Sequence, residues 1–196
     1  MLFRSRRALA PLVVEARDWD HGVFMGATIS SEQTAAAEGT VGELRRDPFA
    51  MLPFAGYNMA DYFGHWLDFG RRLRRSARVP RVFQVNWFRK GADGSFLWPG
   101  FGDNARVLEW MIGRLDGTRT AVDSPIGSLP AAGALNVDGL EIDEEALTEL
   151  FRVDPQAFAH EADDIEAFFA TFGDRLPPEL TRQLDLLRSR LQAELG

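Results

Sequence analysis

The spacing of apolar and polar residues predicts short strands interleaved with helices in the first two thirds of the chain. Residues 11–16 and 21–29 are short apolar runs separated by polar turn residues, and each predicts a strand. Residues 81–88 alternate in polarity and predict a third strand. Strands and helices that alternate in this way indicate a mixed α/β fold.

Helical periodicity is clearest in residues 58–73. Large side chains recur there every three or four positions and share one face with Gly70: Met59, Tyr62, Phe63, Trp66 and Leu73. Similar spacing predicts four further helices, at residues 104–115, about 143–151, 154–172 and 178–195. We expect the last three to form a helical cover at the carboxy-terminal end.

Residues 30–43 interrupt this pattern. They include three consecutive alanines and two glycines, and they have almost no large side chain that could anchor them to a core. Because a segment with few apolar contacts opens at low cost, we predict that it is mobile.

Composition limits the classes of partner. The chain has 196 residues, of which 45% are hydrophobic and 26% charged, which is typical of one globular unit. Its net charge of -7 argues against nucleic acid or an anionic membrane surface as the main partner. Cysteine is absent, which excludes disulfides and thiolate catalysis, and no apolar run reaches membrane-spanning length. We therefore expect a cytoplasmic protein without a membrane partner.

Two charged clusters allow a structural and a functional interpretation. Six arginines between residues 71 and 81 could be the solvated end of a helix or a binding patch, and we favour the first because cations suit a helix carboxy-terminus. His160 lies near Glu161, Asp163 and Asp164, which we interpret as a solvated acidic face rather than a metal site. We therefore predict no metal-ligating residues.

Residues 86–104 carry the strongest candidate chemistry. Five aromatic rings lie close to four glycines there: Trp87, Phe88, Phe96, Trp98 and Phe101, with Gly91, Gly94, Gly100 and Gly102. Flat rings beside permissive backbone could hold a planar ligand. The alternative is a hairpin-like connection whose aromatic side chains cover the core. Asp103 and Asn104 are similarly ambiguous, because either could cap the next helix or read the edge of a base.

A family resemblance begins in this segment. The run from Val85 to Asp116 closely resembles the signature of GTP-dependent phosphoenolpyruvate carboxykinases, in which a phenylalanine-rich segment followed by Phe-Gly-(Glu or Asp)-Asn encloses guanine. Further similarity is found in residues 31–38, 47–58 and 125–127 and in the acidic helical tail. Residues 1–196 resemble roughly the last third of the family's enzyme and part of its nucleotide-binding domain.

This resemblance implies a guanine pocket within about residues 86–104. Its residues would be Phe88, Phe96 and Phe101, which line it, and Gly102, Asp103 and Asn104, which contact the base. The resemblance also implies a mobile lid within about residues 33–43: Gln33, Thr34, Ala35, Ala36, Ala37, Glu38 and Gly39. The family converts oxaloacetate and GTP reversibly into phosphoenolpyruvate, GDP and carbon dioxide with Mn²⁺ or Mg²⁺. Its lid would keep water from the enolate intermediate.

The resemblance also indicates what this sequence lacks. No Gly-x-x-x-x-Gly-Lys-Ser/Thr phosphate loop occurs in it, and the family's metal ligands have no counterpart. The family's phosphate-binding arginine has an altered counterpart in Arg6, within a run where both glycines of the family motif are replaced. We therefore expect the chain alone to be inactive, and a separate amino-terminal carboxykinase fragment is a candidate partner. The alternatives are a non-catalytic guanine-nucleotide binding module and a partner subunit.

Overall fold

The computed structural model describes residues 1–4, 8–32, 44–73 and 79–196. Their strands are β1 (Leu2–Arg4), β2 (Val13–Glu15), β3 (Ser30–Glu32), β4 (Leu44–Arg46), β5 (Phe83–Val85), β6 (Ala121–Ser124) and β7 (Gly127–Pro130). Their α-helices are α1 (Trp19–Ala27), α2 (Met59–Leu73), α3 (Asn104–Asp116), α4 (Glu144–Phe151), α5 (Pro155–Ala170) and α6 (Pro178–Leu195). The predicted mixed α/β fold is confirmed. Within these ranges no helix has the length and apolar character needed to cross a membrane.

Five strands form one mixed sheet in the order β1-β5-β2-β7-β6. Strand β1 runs parallel to β5, with Leu2 opposite Phe83 and Arg4 opposite Val85, and the other neighbouring pairs are antiparallel. Strand β5 therefore has a neighbour on each side. The aromatic segment follows β5 directly, so it starts from a well-fixed position in the sheet.

Two hydrophobic clusters lie on opposite faces of this sheet. Val13 belongs to one cluster and Val14 to the other, because successive side chains of a strand point to opposite faces. The larger cluster includes buried residues of α1, α2, α5 and α6, and the smaller includes those of α3 and α4. The carboxy-terminal helices α4 to α6 thus cover both faces of the sheet.

The prediction of a strand at residues 21–29 is wrong, because most of this stretch belongs to α1. Every residue of α1 except Asp20 is buried, so polar positions do not mark the helical period. A short apolar run without such marks is equally compatible with a buried strand. Asp18 is the N-cap of this helix, and its carboxylate accepts a hydrogen bond from the His21 backbone N–H at 2.8 Å.

Helix α1 packs closely against α2, and the approach requires a glycine. A Cβ atom at Gly70 would lie 2.1 Å from Cδ1 of Trp19, well inside van der Waals contact. The Trp19 indole N–H also donates to the backbone carbonyl of Trp66 at 2.8 Å. Gly70 is therefore a packing residue on the apolar face that the sequence predicted for this helix.

Candidate functional site

The segment after β5 folds into a short hairpin between Arg89 and Leu97. The Leu97 backbone N–H donates to the Arg89 carbonyl at 3.0 Å, and Lys90 pairs with Phe96 as an antiparallel bridge. Gly94 lies at the turn with a φ of 82°, a conformation that favours glycine. The backbone thus agrees with the hairpin-like connection that was one interpretation of this segment.

The aromatic side chains of the segment divide between the core and the surface. Trp87 and Trp98 pack into the smaller hydrophobic cluster, and Trp98 is only 2% exposed. Phe88, Phe96 and Phe101 belong to neither cluster: Phe88 is half-buried, whereas Phe96 is 53% exposed and Phe101 97%. The interpretation that the aromatic residues simply cover the core therefore holds for the tryptophans and not for the three phenylalanines.

Two cations lie beside the outward rings. The ring centroids of Phe88 and Phe96 are 5.9 Å apart, with their planes at 66°. The guanidinium carbon of Arg4 lies 5.8 Å from the Phe88 centroid, and Nζ of Lys90 lies 5.5 Å from the Phe96 centroid. No sequence signal indicated Arg4, because its place depends on the parallel pairing of β1 with a strand far away in the chain.

Phe101 is held in an unusual backbone conformation. Its φ is 43°, and it follows Gly100, whose φ is 81°. A residue with a side chain seldom adopts positive φ, and the cost is about 1 kcal/mol. Backbone strain of this kind clusters at ligand-binding and active sites, and at Phe101 it coincides with an almost fully exposed ring.

Asn104 begins α3 and is tied to the core. Its Oδ1 accepts a hydrogen bond from the indole N–H of Trp98 at 2.9 Å. Asp103 makes no capping hydrogen bond, and its carboxylate instead accepts from Nε of Arg106 at 3.0 Å. Capping, which was one of the two roles left open for Asp103, is therefore not observed, because a 3₁₀ turn at Phe101–Asp103 leads directly into α3.

Arg89 connects the hairpin to α4. Its side chain is 2% exposed, with Nη2 at 2.9 Å from Oε1 of Glu149 and Nη1 at 2.9 Å from the backbone carbonyl of Arg152. Burial lowers the pKa of Arg89, and the hydrogen bonds from Arg152 and Arg89 lower the pKa of Glu149. The residue that follows Phe88 is thus fixed to the helical cover, a role that the sequence did not indicate.

Several predicted site residues lie outside the described residues. They are Arg6 and the lid residues Gln33, Thr34, Ala35, Ala36, Ala37, Glu38 and Gly39. The strands that flank residues 33–43 are described: β3 and β4 pair antiparallel, with Ser30 opposite Arg46. Residues 30–32, which were predicted as part of the mobile segment, therefore form a strand.

The charged clusters are engaged within the chain. Glu161 is buried and pairs with Arg46 at 2.8 Å, so its assignment to a solvated acidic face was wrong. Arg71 pairs with Asp68 and with a carboxylate of α6, and Arg81 pairs with the buried Glu15. Arg71 therefore fits the predicted solvated helix end, whereas that prediction is wrong for Arg81, which lies beyond α2 and just before β5.

Sequence comparison now decides the family. A profile described as "Phosphoenolpyruvate carboxykinase C-terminal P-loop domain" matches residues 1–190. The chain belongs to the GTP-dependent phosphoenolpyruvate carboxykinase family. The resemblance found around residues 85–116 is thereby confirmed.

Three similar carboxykinases, each named phosphoenolpyruvate carboxykinase (GTP), illustrate the extent of the match. The protein of Treponema pallidum (strain Nichols) is 50% identical over 198 residues, which cover 100% of this chain and 32% of the relative. That of Paenarthrobacter aurescens (strain TC1) is 50% identical over 192 residues, covering 97% and 31%. That of Neocallimastix frontalis is 49% identical over 197 residues, covering 100% and 32%. The chain thus spans about a third of the length of these carboxykinases.

The carboxykinase family implies a divalent metal ion, whose fit depends on the available donor atoms. In residues 1–4, 8–32, 44–73 and 79–196, no group of three or more histidine and carboxylate side chains could hold a metal ion. These residues therefore do not fit the ion.

Proposed function

We propose that this chain supplies the guanine pocket of a GTP-dependent phosphoenolpyruvate carboxykinase. In that reaction oxaloacetate and GTP give phosphoenolpyruvate, GDP and carbon dioxide, which is the entry to gluconeogenesis. The observation that carries the proposal is the exposure of Phe96 and Phe101, with the half-buried Phe88 beside Phe96, in a segment whose two tryptophans pack into the smaller cluster. Exposed rings are available to a base, and their burial on binding removes apolar surface from water.

The pocket residues would divide the recognition of the nucleotide. The three phenylalanines would contact the faces of the purine, and stacking of this kind is worth about 1–3 kcal/mol per base. Asn104 and the backbone of Gly102 and Asp103 would contact its edge, at the amino-terminal end of α3. Because Gly102 carries no side chain, main-chain groups could approach a base closely there.

Basic residues support an anionic ligand. Arg4 and Lys90 lie over the outer rings, and Arg6 is two residues beyond Arg4 in the sequence. We propose that Arg6 approaches the terminal phosphate of GTP. Residues 33–39 would act as the lid that excludes water from the enolate before its oxygen accepts the phosphoryl group.

The remaining machinery would come from elsewhere. Phosphoryl transfer depends on a phosphate cradle and on charge neutralisation, and this sequence has no phosphate-loop motif. We therefore propose that the chain alone does not convert oxaloacetate, and that turnover needs a separate amino-terminal carboxykinase fragment. The absence of cysteine supports a cytoplasmic site of action.

Nucleotide binding tests the proposal. We expect GDP to bind the full chain and to quench the fluorescence of Trp87 and Trp98, with ADP binding at least tenfold more weakly. Phe96→Ala and Phe101→Ala should each weaken GDP binding by roughly tenfold, since each removes one stacking surface. Phe54→Ala is the matched control, because Phe54 is 76% exposed but lies in a different turn. No saturable response to millimolar GDP would rule out the pocket.

A non-catalytic guanine-nucleotide binding module is the second candidate. The observation that favours it is the combination of outward rings with the lack of a metal-binding group in the described residues. Adding an amino-terminal carboxykinase fragment separates the two candidates. Phosphoenolpyruvate formed only with both pieces supports the carboxykinase role, whereas GDP binding without any turnover in the mixture supports the module.

A further inference from the structure

Trp98 makes the one described side-chain hydrogen bond between the smaller hydrophobic cluster and Asn104. Its ring is buried with the residues of α3, and its indole N–H lies 2.9 Å from Oδ1 of Asn104. The side chain of Asn104 is partly exposed and follows Phe101 by three positions in the sequence. A buried donor thus holds a residue of the candidate pocket.

This contact determines which way the amide of Asn104 points. The oxygen and nitrogen of an asparagine amide have similar shapes and can exchange places. An indole N–H can only donate, so it requires the oxygen on its side. Nδ2 must then be the group that faces away from Trp98, and among the described residues it donates to no protein acceptor.

An outward amide nitrogen distinguishes two purines. Guanine presents the O6 acceptor at its six position, whereas adenine presents the N6 amino donor there. Nδ2 can donate to O6, but it meets the adenine amino group as donor against donor. If Asn104 were free to rotate its amide, Oδ1 could accept from adenine and the discrimination would be lost.

We propose that Trp98 is a positioning residue that sets the preference for guanine over adenine by fixing the Asn104 amide. This inference rests on the proposed function, since it requires the base to bind against Asn104. Reversal of the amide in the native chain would leave the buried indole N–H facing another donor. An unsatisfied buried donor is costly, so the reversed state is rarely populated.

The test is the ratio of ADP to GDP dissociation constants for the full chain, measured by calorimetry. Trp98→Phe keeps a flat apolar ring and removes the N–H, so we expect the ratio to fall by roughly tenfold. The reason is that the variant should lose more affinity for GDP than for ADP. A purely structural role would weaken both nucleotides by the same factor and leave the ratio unchanged, which would overturn the proposal.

Trp110→Phe is the matched control. Trp110 is 1% exposed in the same cluster, and its indole N–H donates to the backbone carbonyl of Thr120 at 3.2 Å rather than to a pocket residue. Its replacement should cost a similar amount of stability without changing the ratio of the two dissociation constants. A fall in the ratio of the same size as in Trp98→Phe would contradict the specific role of Trp98.

A second variant tests whether the outward Asn104 amide nitrogen selects guanine if Trp98→Phe does not fold. Asn104→Asp keeps an oxygen for the indole N–H and places another oxygen where Nδ2 stands. We expect GDP to lose at least tenfold more affinity than ADP, and an unchanged ratio would overturn the proposal. If the unaltered chain binds neither nucleotide, the proposed function fails together with this inference. If it prefers GDP and Trp98→Phe keeps that preference, only the inference fails.

Discussion

Arg89 and Glu149 form an ion pair in which one partner is almost completely buried and the other is not. The guanidinium of Arg89 is 2% exposed, the carboxylate side chain of Glu149 is 33% exposed, and Nη2 lies 2.9 Å from Oε1. If Arg89 is replaced, water can still solvate the partly exposed carboxylate of Glu149. If Glu149 is replaced, water has little access to the buried guanidinium of Arg89. The two members of the pair should therefore respond differently to substitution.

Removal of the Glu149 charge should destabilise the fold. Glu149→Gln leaves a buried guanidinium without its counter-charge, and we expect the free energy of unfolding to fall by about 1–3 kcal/mol. The measurement is urea unfolding at neutral pH. Asp163→Asn is the control, because Asp163 pairs with Arg188 at the surface and should cost less than about 1 kcal/mol. Equal losses in both variants would contradict the importance of burial.

The contact between Trp19 and Gly70 predicts a clear difference between two glycines of α2. Gly70→Ala should destabilise the chain by roughly 2 kcal/mol or more, because the new Cβ would lie 2.1 Å from the Trp19 ring. Gly64→Ala in the same helix has its nearest contact at 3.9 Å, with Cγ of Pro177. That variant should be neutral or more stable by up to about 1 kcal/mol, because alanine favours helices. Thermal unfolding of both variants provides the comparison.

His21 should make stability depend on pH in the acid range. Burial, with the nearby charges of Arg17 and Arg190, lowers the pKa of His21 to about 3, although Asp18 and Asp123 oppose this. Its Nδ1 accepts a hydrogen bond from the Arg17 backbone N–H at 3.1 Å, which also requires the neutral ring.

The sign follows from the unfolded state. An unfolded histidine binds a proton below about pH 6.5, and the folded chain does not bind it until about pH 3. His21 therefore does not affect the free energy of unfolding above pH 6.5. At lower pH it reduces this free energy by at most roughly 1.4 kcal/mol per pH unit. Urea unfolding at pH 7.5, 6 and 5 should give a smaller acid loss for His21→Asn than for the unaltered chain. Parallel pH profiles would show that His21 is not the cause.

We expect Phe101 to lower the stability of the fold while it raises the affinity for GDP. Phe101→Gly removes the cost of a positive φ, so we expect the free energy of unfolding to change little or to rise by up to about 1 kcal/mol. The same variant should lose GDP affinity by roughly tenfold, because the exposed ring is gone. Phe101→Leu keeps a side chain at this φ without an aromatic face, and it should lose affinity with no gain in stability. A large loss of stability in Phe101→Gly would mean that the ring packs against something after all.

Local patterns predicted the helices better than the connections between strands. The amphipathic face of residues 58–73 and the helices in the last third were predicted near their observed bounds, because each has polar positions that mark its period. Helix α1 was mistaken for a strand because burial on all sides removes those marks. The pairing of β1 with β5 could not be predicted, because nothing local to either strand specifies a distant parallel neighbour.

The candidate site was predicted in part for a similar reason. The density of rings and glycines pointed to residues 86–104, and the family resemblance selected three of the five rings. The separation of inward tryptophans from outward phenylalanines required the fold, because it depends on where the hairpin sits relative to the smaller cluster. The contacts of Asn104 with Trp98 and of Arg4 with Phe88 likewise arise from tertiary packing.

The division of the core between the two faces of the sheet has a consequence during synthesis on the ribosome. The smaller hydrophobic cluster, which includes Trp98 of the aromatic hairpin, contains no residue beyond Phe151. This cluster can therefore form while the last helices are still being translated. The opposite face needs Leu180, Leu184, Leu187 and Leu191. A nascent chain can therefore assemble its candidate nucleotide pocket before the second half of its interior is closed.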